Sequence, residues 1–249
     1  MNGCVYYLGH SCFAVATGRL LLVFDPDDGT PVKGGLETGA IDFSLHADKT
    51  VVILSSHNHA DHYGRALHKA GQKYGNVFHA LGGFKSESQK NTITINAGQS
   101  AEIGGVAIRA GGSTDAGVCF LAEANGLVVF HAGDNADWGD GDPANASYYR
   151  EIDHIAGICG ERSLRPDAAF IPCCTFQGKR PPDMTKGAIY AVNKLNPEIV
   201  FPMHANGREN LYEEFEADLR KADGGSERAV VCMKRPGQKY EIQTPRGGQ

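Results

Sequence analysis

The sequence predicts an α/β fold in which helices cover β-sheets, and three observations support this. Short apolar and β-branched runs recur through the first half of the 249 residues, separated by glycine-containing turns. The second half alternates such runs with segments whose apolar residues repeat at helical spacing. Because no linker, low-complexity stretch or internal repeat interrupts the pattern, we expect a single domain over residues 1–249.

The predicted strands of the first half are short and largely aliphatic. Residues 51–54 read Val-Val-Ile-Leu, a continuous apolar run typical of a strand covered on both faces. A helical pattern over residues 63–73 follows soon after. The strands predicted here span residues 5–8, 12–16, 20–24, 51–54, 77–80, 92–95, 106–109, 118–122 and 127–131.

Three helices and two strands are predicted in the second half. Ser147 is placed to cap a helix in which Tyr148, Ile152 and Ile155 share one face. Buried strands are expected at residues 168–171 and 199–201. The other two helices cover residues 185–195, which stop before Pro197, and the segment that contains Leu211, Tyr212, Phe215 and Leu219.

Composition and charge exclude several classes of protein. No apolar run reaches the ~18 residues that a membrane span requires, and residues 1–10 lack the features of a secretory signal. We therefore expect no membrane partner and a cytoplasmic location. The net charge is −5 and no Lys/Arg run stands out, which argues against a nucleic-acid partner. Seven scattered cysteines favour reduced thiols over a disulfide framework. A homo-oligomer is compatible with the sequence.

The segment 55–62, Ser-Ser-His-Asn-His-Ala-Asp-His, points to metal chemistry. It follows the apolar run 51–54 and precedes a helical pattern, so it is predicted to lie on a loop at the carboxyl end of a strand. Imidazole nitrogens bind divalent metals, and a carboxylate adds a harder oxygen ligand. His57 and His59 can point to one side of an extended loop, while Asp61 and His62 turn toward a second ion. A solvated histidine-rich loop is the alternative, and such clusters are more often metal sites.

The motif His57-x-His59-x-Asp61-His62 after a buried strand resembles the signature of the metallo-β-lactamase fold superfamily. Further matches follow in the expected order: Phe24-Asp25-Pro26, Ala132-Gly133-Asp134 and Phe201-Pro202-Met203-His204. The segment Leu8-Gly9-His10-Ser11 is similar to the branch that contains L-ascorbate-6-phosphate lactonase and related predicted hydrolases. The resemblance covers roughly residues 4–220 and implies a four-layer αββα sandwich, with two mixed β-sheets packed face to face and helices outside.

The resemblance also implies roles for individual residues. Asp134 would bridge two metals, and Asp61 would ligate the second metal and act catalytically by accepting a proton from water. Asp25 would orient a histidine by accepting its other N–H. One or two divalent ions are expected, with zinc as the first choice and manganese or iron as alternatives. The implied metal ligands are His57, His59, Asp61, His62, Asp134 and His204.

One element departs from the superfamily pattern. Its members usually supply another histidine between the histidine loop and the bridging aspartate, and residues 111–118 contain none. The first metal site therefore lacks a ligand; it recruits Asp115 or Ser113, binds weakly or stays empty. The second site is complete, and we expect it to bind more tightly; its ligands are Asp61, His62, Asp134 and His204.

Several other residues allow two interpretations. His10 is either a structural turn residue or an acid or base at the mouth of the site. Cys173 and Cys174 are either core thiols or a replacement metal ligand. Lys179 and Arg180 either hold an anionic substrate group or lie in a solvated loop. Trp138 is expected near the site entrance, His131 as a strand histidine with satisfied hydrogen bonds, and His46, His68, His79 and His154 on the surface or a helix face.

The resemblance implies a metal-dependent hydrolase that uses a metal-bound hydroxide on a small, anionic substrate such as a lactone, ester or phosphoester. Three alternatives stay open: a nuclease, an iron-dependent oxygenase of the same fold, and a degenerate, non-catalytic binding protein. The short chain and its acidic balance argue against the nuclease. The absent histidine in residues 111–118 is the best support for the degenerate alternative.

Overall fold

The computed structural model describes residues 2–86, 90–139, 141, 143–222, 224 and 228–243. Within these ranges the first nine strands are β1 (Asn2–Gly9), β2 (Cys12–Thr17), β3 (Leu20–Phe24), β4 (Thr50–Ser55), β5 (Val77–Gly82), β6 (Thr92–Ile95), β7 (Ser100–Ile103), β8 (Val106–Gly112) and β9 (Val118–Ala124). The remaining strands are β10 (Leu127–His131), β11 (Ala168–Pro172), β12 (Ile199–Met203), β13 (Ala229–Val230) and β14 (Lys239–Gln243). The α-helices are α1 (Arg65–Gly71), α2 (Ala146–Glu161), α3 (Pro182–Leu195) and α4 (Leu211–Ala222).

The described strands form two sheets of seven strands each. The first sheet has the order β14-β1-β2-β3-β4-β5-β6, and the second has the order β13-β12-β11-β10-β9-β8-β7. Both sheets are mixed. In the first, β3 to β6 run parallel beside an antiparallel half, and in the second, β10 to β13 run parallel beside an antiparallel half.

The main hydrophobic core lies between the two sheets. The Phe13 ring of β2 packs 4.4 Å from the Phe170 ring of β11, centroid to centroid, which places the inner faces in direct contact. In β4, Val52 and Leu54 join this inner core, whereas Val51 and Ile53 join a second cluster on the outer face. The continuous apolar run 51–54 is therefore explained by a strand that is buried on both sides.

Helices cover the outer faces of both sheets. Helix α1 packs on β5 of the first sheet, while α2, α3 and α4 pack on β8, β11 and β12 of the second. The layers are therefore helix, sheet, sheet, helix, and the predicted αββα fold class is confirmed. In the described part of the chain, no helix combines the length and apolarity that a membrane crossing would require.

All of the predicted strands and helices exist, with ends that differ by a few residues. Three strands were missed: β7, β13 and β14. The prediction that Ser147 caps a helix was wrong, because α2 begins at Ala146 and Ser147 lies inside its first turn. The Ser147 hydroxyl instead donates to the Ala144 carbonyl oxygen at 2.7 Å.

Candidate metal centre

The predicted site residues converge at one edge of the sandwich, where strands of both sheets end. His10 directly follows β1, Asp25 directly follows β3 and His204 directly follows β12. All three have left-handed backbone conformations, with φ of 48°, 44° and 75° respectively. The turn that each makes lets a side chain leave the sheet at the strand end. Because β1, β3 and β12 end at the same edge, residues that lie far apart in sequence come together there.

The first of two ligand sets contains His57, His59, Asp115 and Asp134. Each of these residues offers one ligand atom, and those atoms all lie within 4.8 Å of one another. His57 Nε2 is 3.6 Å from Asp134 Oδ2, and His59 Nδ1 is 3.7 Å from Asp115 Oδ2. His59 and Asp115 are 53% and 43% exposed, so this set opens to solvent on one side.

The second ligand set contains His10, Asp61, His62 and His204, whose ligand atoms also lie within 4.8 Å of one another. Asp134 approaches this set through its other oxygen: Oδ1 is 3.1 Å from His62 Nε2 and 3.3 Å from His204 Nε2. Since Oδ2 of the same carboxylate faces His57, Asp134 lies between the two sets. Three members of the second set are buried, and it is the more enclosed of the two.

Buried hydrogen bonds fix the orientation of the imidazoles. The Asp25 carboxylate accepts from Ser56 N at 2.6 Å, Ser56 Oγ at 2.7 Å and His62 Nδ1 at 2.7 Å. Burial acts to raise the pKa of Asp25, but the charges of His131 and His62 outweigh it and lower the pKa. An ionised Asp25 therefore holds the Nδ1–H of His62 and leaves Nε2 directed at the ligand sets.

His204 is held in the same way by the main chain. Its Nδ1 donates to the Cys174 carbonyl oxygen at 2.9 Å, which leaves Nε2 facing Asp134. The thiols of Cys173 and Cys174 are fully buried and donate to the carbonyl oxygens of Met203 and His204. Neither thiol belongs to a ligand set among the described residues, so the replacement-ligand interpretation finds no support.

The electrostatics of the sets couple carboxylates to imidazoles. Burial acts to lower the pKa of His62, but Asp134 and Asp25 outweigh it and raise the pKa well above its usual value. Burial acts to raise the pKa of Asp134, which His62 and His204 hold well below its usual range. For Asp61, burial also acts to raise the pKa, but contact with His10 and the charge of His62 lower it to about 2. The carboxylates are therefore ionised at neutral pH and available to a cation.

Several polar atoms of the two ligand sets lack a hydrogen-bond partner among the described residues and are placed to bind a divalent cation. His62 Nε2, Asp134 Oδ1 and both ring nitrogens of His10 are buried, and no described residue gives them a hydrogen bond. Buried polar atoms without partners are costly, so a cation that binds His62 Nε2, Asp134 Oδ1 and one ring nitrogen of His10 is expected. Imidazole nitrogens and carboxylate oxygens gathered within ligand distance match zinc or a similar ion.

The structure thus brings together every residue that the sequence nominated as a metal ligand. Asp115 joins the first set, in the segment where the histidine is absent. Ser113 accepts from Asp115 N at 3.3 Å and thereby orients the loop that carries Asp115. His10, for which two interpretations were open, lies in the second set. A lone histidine before Ser11 carries no spacing signal that could have settled its place.

Several expectations for the other histidines were wrong. His46, His68 and His79, expected on the surface or a helix face, are buried with 8%, 2% and 2% exposure, although His68 does lie on α1. His68 Nδ1 lies 2.8 Å from His79 Nδ1, and its Nε2 lies 3.0 Å from Ser55 Oγ. The expectation for His131 is confirmed, because Nε2 donates to the Ser11 carbonyl oxygen at 2.9 Å and Nδ1 accepts from Gly133 N at 3.1 Å. His154 is exposed, as expected.

A cavity of about 620 Å³ adjoins the ligand sets. Residues of both sets line it, together with Trp138, Phe176 and Lys179. Trp138, expected to line or cover the site entrance, lines this cavity, and its ring lies 5.4 Å from that of His204. Arg180 does not line the cavity. Its side chain is 11% exposed and its guanidinium pairs with Glu214 and Asp218, so the interpretation of Arg180 as an anion holder was wrong.

The sandwich and the ligand sets at its strand ends define a protein of the metallo-β-lactamase fold. A family model described as a β-lactamase superfamily domain matches residues 4–140. The chain belongs to this superfamily, and the resemblance drawn from the sequence is confirmed.

More specific similarity is found among proteins named UPF0173 metal-dependent hydrolase. The one from Methanocorpusculum labreanum is 28% identical over 230 residues, which are 86% of this chain and 87% of the relative. The one from Archaeoglobus fulgidus is 26% identical over 261 residues, covering 96% and 98% of the two chains.

Solved structures share the fold over almost the whole chain. Igni18, described as a novel metallo hydrolase from Ignicoccus hospitalis, superposes with a TM-score of 0.66 at 22% identity and covers 98% of this chain and 100% of its own. YhfI from Bacillus subtilis, described as a metallo-β-lactamase fold protein, has a TM-score of 0.61 at 12% identity and covers 96% and 99%. At these identities the likeness establishes the fold alone.

Proposed function

We propose that this protein is a metal-dependent hydrolase of small molecules that holds two divalent cations side by side. One observation carries the proposal: the two oxygens of Asp134 face two different ligand sets, each rich in imidazole and carboxylate. A carboxylate shared between two such sets would hold two cations close enough to act together in hydrolysis. The names of the curated relatives support the same class of activity.

The two sets are expected to differ in affinity. The second offers the imidazoles of His10, His62 and His204 in a buried setting, together with Asp61. The first offers two imidazoles, one of them exposed, and Asp115 in place of a third. Zinc favours nitrogen ligands, and the second set has three imidazoles against two in the first. An enclosed site also holds its ligands in place more firmly, so the second set should bind zinc more tightly.

The residues of the chain have separate tasks in such a reaction. A divalent cation lowers the pKa of a coordinated water to about 7 and polarises the bond under attack. Asp25 and the Cys174 carbonyl hold the imidazoles of His62 and His204 in one orientation. Asp61, ionised at neutral pH, accepts a proton at its carboxylate and returns it to the leaving group.

The cavity supports a substrate of small size. A volume of about 620 Å³ suits a small molecule and lies within the usual range for such sites of roughly 300–1,000 Å³. A net charge of −5 disfavours a polynucleotide. Lactones, carboxylic esters and phosphoesters, the classes that the resemblance to the superfamily implies, are the first compounds to assay.

Elemental analysis of protein purified without chelator tests the proposal. We expect up to two divalent ions per chain, and hydrolysis of members of a lactone, ester and phosphoester panel. His204→Asn should lose metal and activity, while the matched control His154→Asn, altered at an exposed residue of α2, should keep both. A folded protein that binds no metal after reconstitution would overturn the proposal. Bound iron with oxygen uptake and no hydrolysis would instead favour the oxygenase alternative.

A metal titration tests the inequality of the two sets. Asp115→Asn and His59→Asn both alter exposed side chains, so folding should survive. Each should remove the weaker equivalent of zinc and leave the tighter one in place. Two equal, tight sites in the unaltered protein would contradict the inequality, and two retained equivalents in Asp115→Asn would contradict the assignment of Asp115.

A further inference from the structure

An exposed aromatic side chain lies in the wall of the cavity. Phe176 is 47% exposed, and among the described residues only Leu45 is another large hydrophobic side chain with such exposure. Leu45 lines no part of this cavity, whereas Phe176 does. Exposing a phenyl ring to water is unfavourable, and an exposed ring in a cavity wall is typical of ligand contact.

A second aromatic side chain faces the same space, and both rings border the ligand sets. The Phe176 ring lies 5.9 Å from that of His10, and the Trp138 ring lies 5.4 Å from that of His204. An apolar group held against these rings would therefore sit next to the second ligand set. Hydrolysis at that set would place the apolar group beside the bond that breaks.

A cation accompanies the two rings. Lys179 is exposed, lines the cavity and forms no ion pair with any described residue. The next residue, Arg180, is not available in this way, because its guanidinium forms ion pairs with Glu214 and Asp218 of α4. Lys179 is therefore the ammonium group of this loop that remains available to a ligand.

The loop that carries Phe176 and Lys179 is held by its own hydrogen bonds. Thr175 N donates to the Lys179 carbonyl oxygen at 2.8 Å, and Gly178 N donates to the Thr175 carbonyl oxygen at 2.7 Å. Lys179 N donates to Thr175 Oγ1 at 3.1 Å. These bonds hold the backbone of the turn, so the Cα atoms of Phe176 and Lys179 keep their places in the cavity wall and less backbone entropy is lost when a ligand uses both side chains.

We infer that the substrate is an amphipathic anion: an acidic group that pairs with Lys179, joined to an aromatic or alkyl group that packs on Phe176 and Trp138. This inference rests on the proposed function and adds the class of substrate to it. Three carboxylates, Asp61, Asp115 and Asp134, also line the cavity. Two divalent cations together with Lys179 would outweigh their charge, so the loaded site attracts an anion.

Binding can be measured without turnover because Trp138 is the single tryptophan of the chain. Three probes separate the two parts of the inference: phenylphosphonate carries both ring and acid, methylphosphonate carries the acid, and benzyl alcohol carries the ring. None of them has a bond that the hydrolase would break. In zinc-loaded protein we expect phenylphosphonate to change Trp138 fluorescence with a Kd at least about tenfold below that of either partial probe.

Variants assign each part to its residue. Lys179→Met should raise the Kd of phenylphosphonate about threefold to fivefold and leave benzyl alcohol unchanged. Phe176→Ala should raise the Kd of phenylphosphonate about threefold to tenfold and leave methylphosphonate unchanged. The matched controls are Lys73→Met and Leu45→Ala, which alter exposed residues outside the cavity and should change nothing.

The inference is overturned if phenylphosphonate binds no better than methylphosphonate, or if the two cavity variants behave like their controls. Failure of the proposed function has a different signature. It would appear as missing metal or as no turnover of any ester, lactone or phosphoester, whatever the pattern of probe binding.

Discussion

Gly117 is the position where the smallest change should most disturb the segment 55–62, the metal loop. Its φ is +68°, and a Cβ added there would overlap the Ser56 carbonyl oxygen. The same Cβ would lie 2.8 Å from the Gly82 carbonyl oxygen and 2.8 Å from the Cβ of His57. Ser56 cannot simply move aside, because its carbonyl accepts from Val118 N at 3.0 Å and its own N–H is held by Asp25.

The expected cost of Gly117→Ala has two parts. A left-handed alanine costs roughly 1–2 kcal/mol relative to glycine. Overpacking against backbone adds roughly 1–3 kcal/mol. Gly105→Ala isolates the first part, since Gly105 has φ +79° and an added Cβ there meets no atom within 4 Å. We therefore expect Gly117→Ala to lower the free energy of unfolding by about 1–3 kcal/mol more than Gly105→Ala does.

Urea denaturation of both variants measures this difference, and chelator competition measures its effect on the site. Displacement of Ser56 shifts the neighbouring His57, so metal affinity should fall about tenfold or more in Gly117→Ala and stay unchanged in Gly105→Ala. If the two variants unfold within about 0.5 kcal/mol of each other, the close approach of Gly117 to the metal loop does not constrain the fold as argued.

Three further predictions concern the surroundings of the site. Asp25→Asn removes the ionised acceptor of the His62 Nδ1–H and should weaken metal binding about tenfold to a hundredfold by chelator competition; an unchanged affinity would contradict the orienting role. Burial lowers the pKa of His79 to about 4, so below about pH 6.5 the unfolded chain binds a proton that the folded chain does not. Stability should therefore fall as the pH drops from about 6.5 to 4, by up to about 3 kcal/mol from this residue, and His79→Gln should show a shallower decline in denaturation at pH 7 and 4.5; parallel profiles would argue against it. Arg180→Met cuts the loop's link to α4 and should lower the free energy of unfolding by about 1 kcal/mol and speed proteolysis near residues 175–181, whereas equal protease resistance would show that the ion pairs do not anchor the loop.

The strands that could be predicted from the sequence are those with a continuous or nearly continuous apolar run. Strand β4, with Val51 to Leu54 buried on both faces, is the clearest case. The three missed strands, β7, β13 and β14, all lie at sheet edges. In β14 only Ile242 is buried, and in β7 only Ile103. A strand that is mostly exposed to solvent shows little apolar pattern in the sequence. Its conformation is set by hydrogen bonding to the neighbouring strand instead.

The residues of the candidate site also differ in how far the sequence alone could identify them. Four of its residues fall within His57 to His62, so their spacing was visible in the sequence. Asp134 and His204 could be placed only by resemblance, because their approach depends on which strand ends meet. The sequence could not choose between Asp115 and Ser113, and the structure places Asp115 in the ligand set. The roles of these residues as ligands stay predictions, whereas their convergence is a property of the fold.

The errors for His68 and His79 have a single cause. Both were expected on the surface or on a helix face, and His68 does lie on α1, but neither was expected to be buried. The packing of α1 on β5 buries both rings and places them in contact. Burial of a polar side chain by a partner element leaves no local pattern, so sequence periodicity could not reveal it.

The left-handed backbone at His10, Asp25 and His204 lowers the free energy of unfolding at residues that the candidate site needs. A non-glycine residue in this conformation is disfavoured by roughly 1–2 kcal/mol, and glycine would remove that penalty at each of the three strand ends. At Asp25, however, glycine would also remove the acceptor of three buried hydrogen bonds, from Ser56 N, Ser56 Oγ and His62 Nδ1, so the strained backbone is kept together with the contacts that it permits. A stabilised variant of this protein that keeps all three side chains must gain its stability elsewhere.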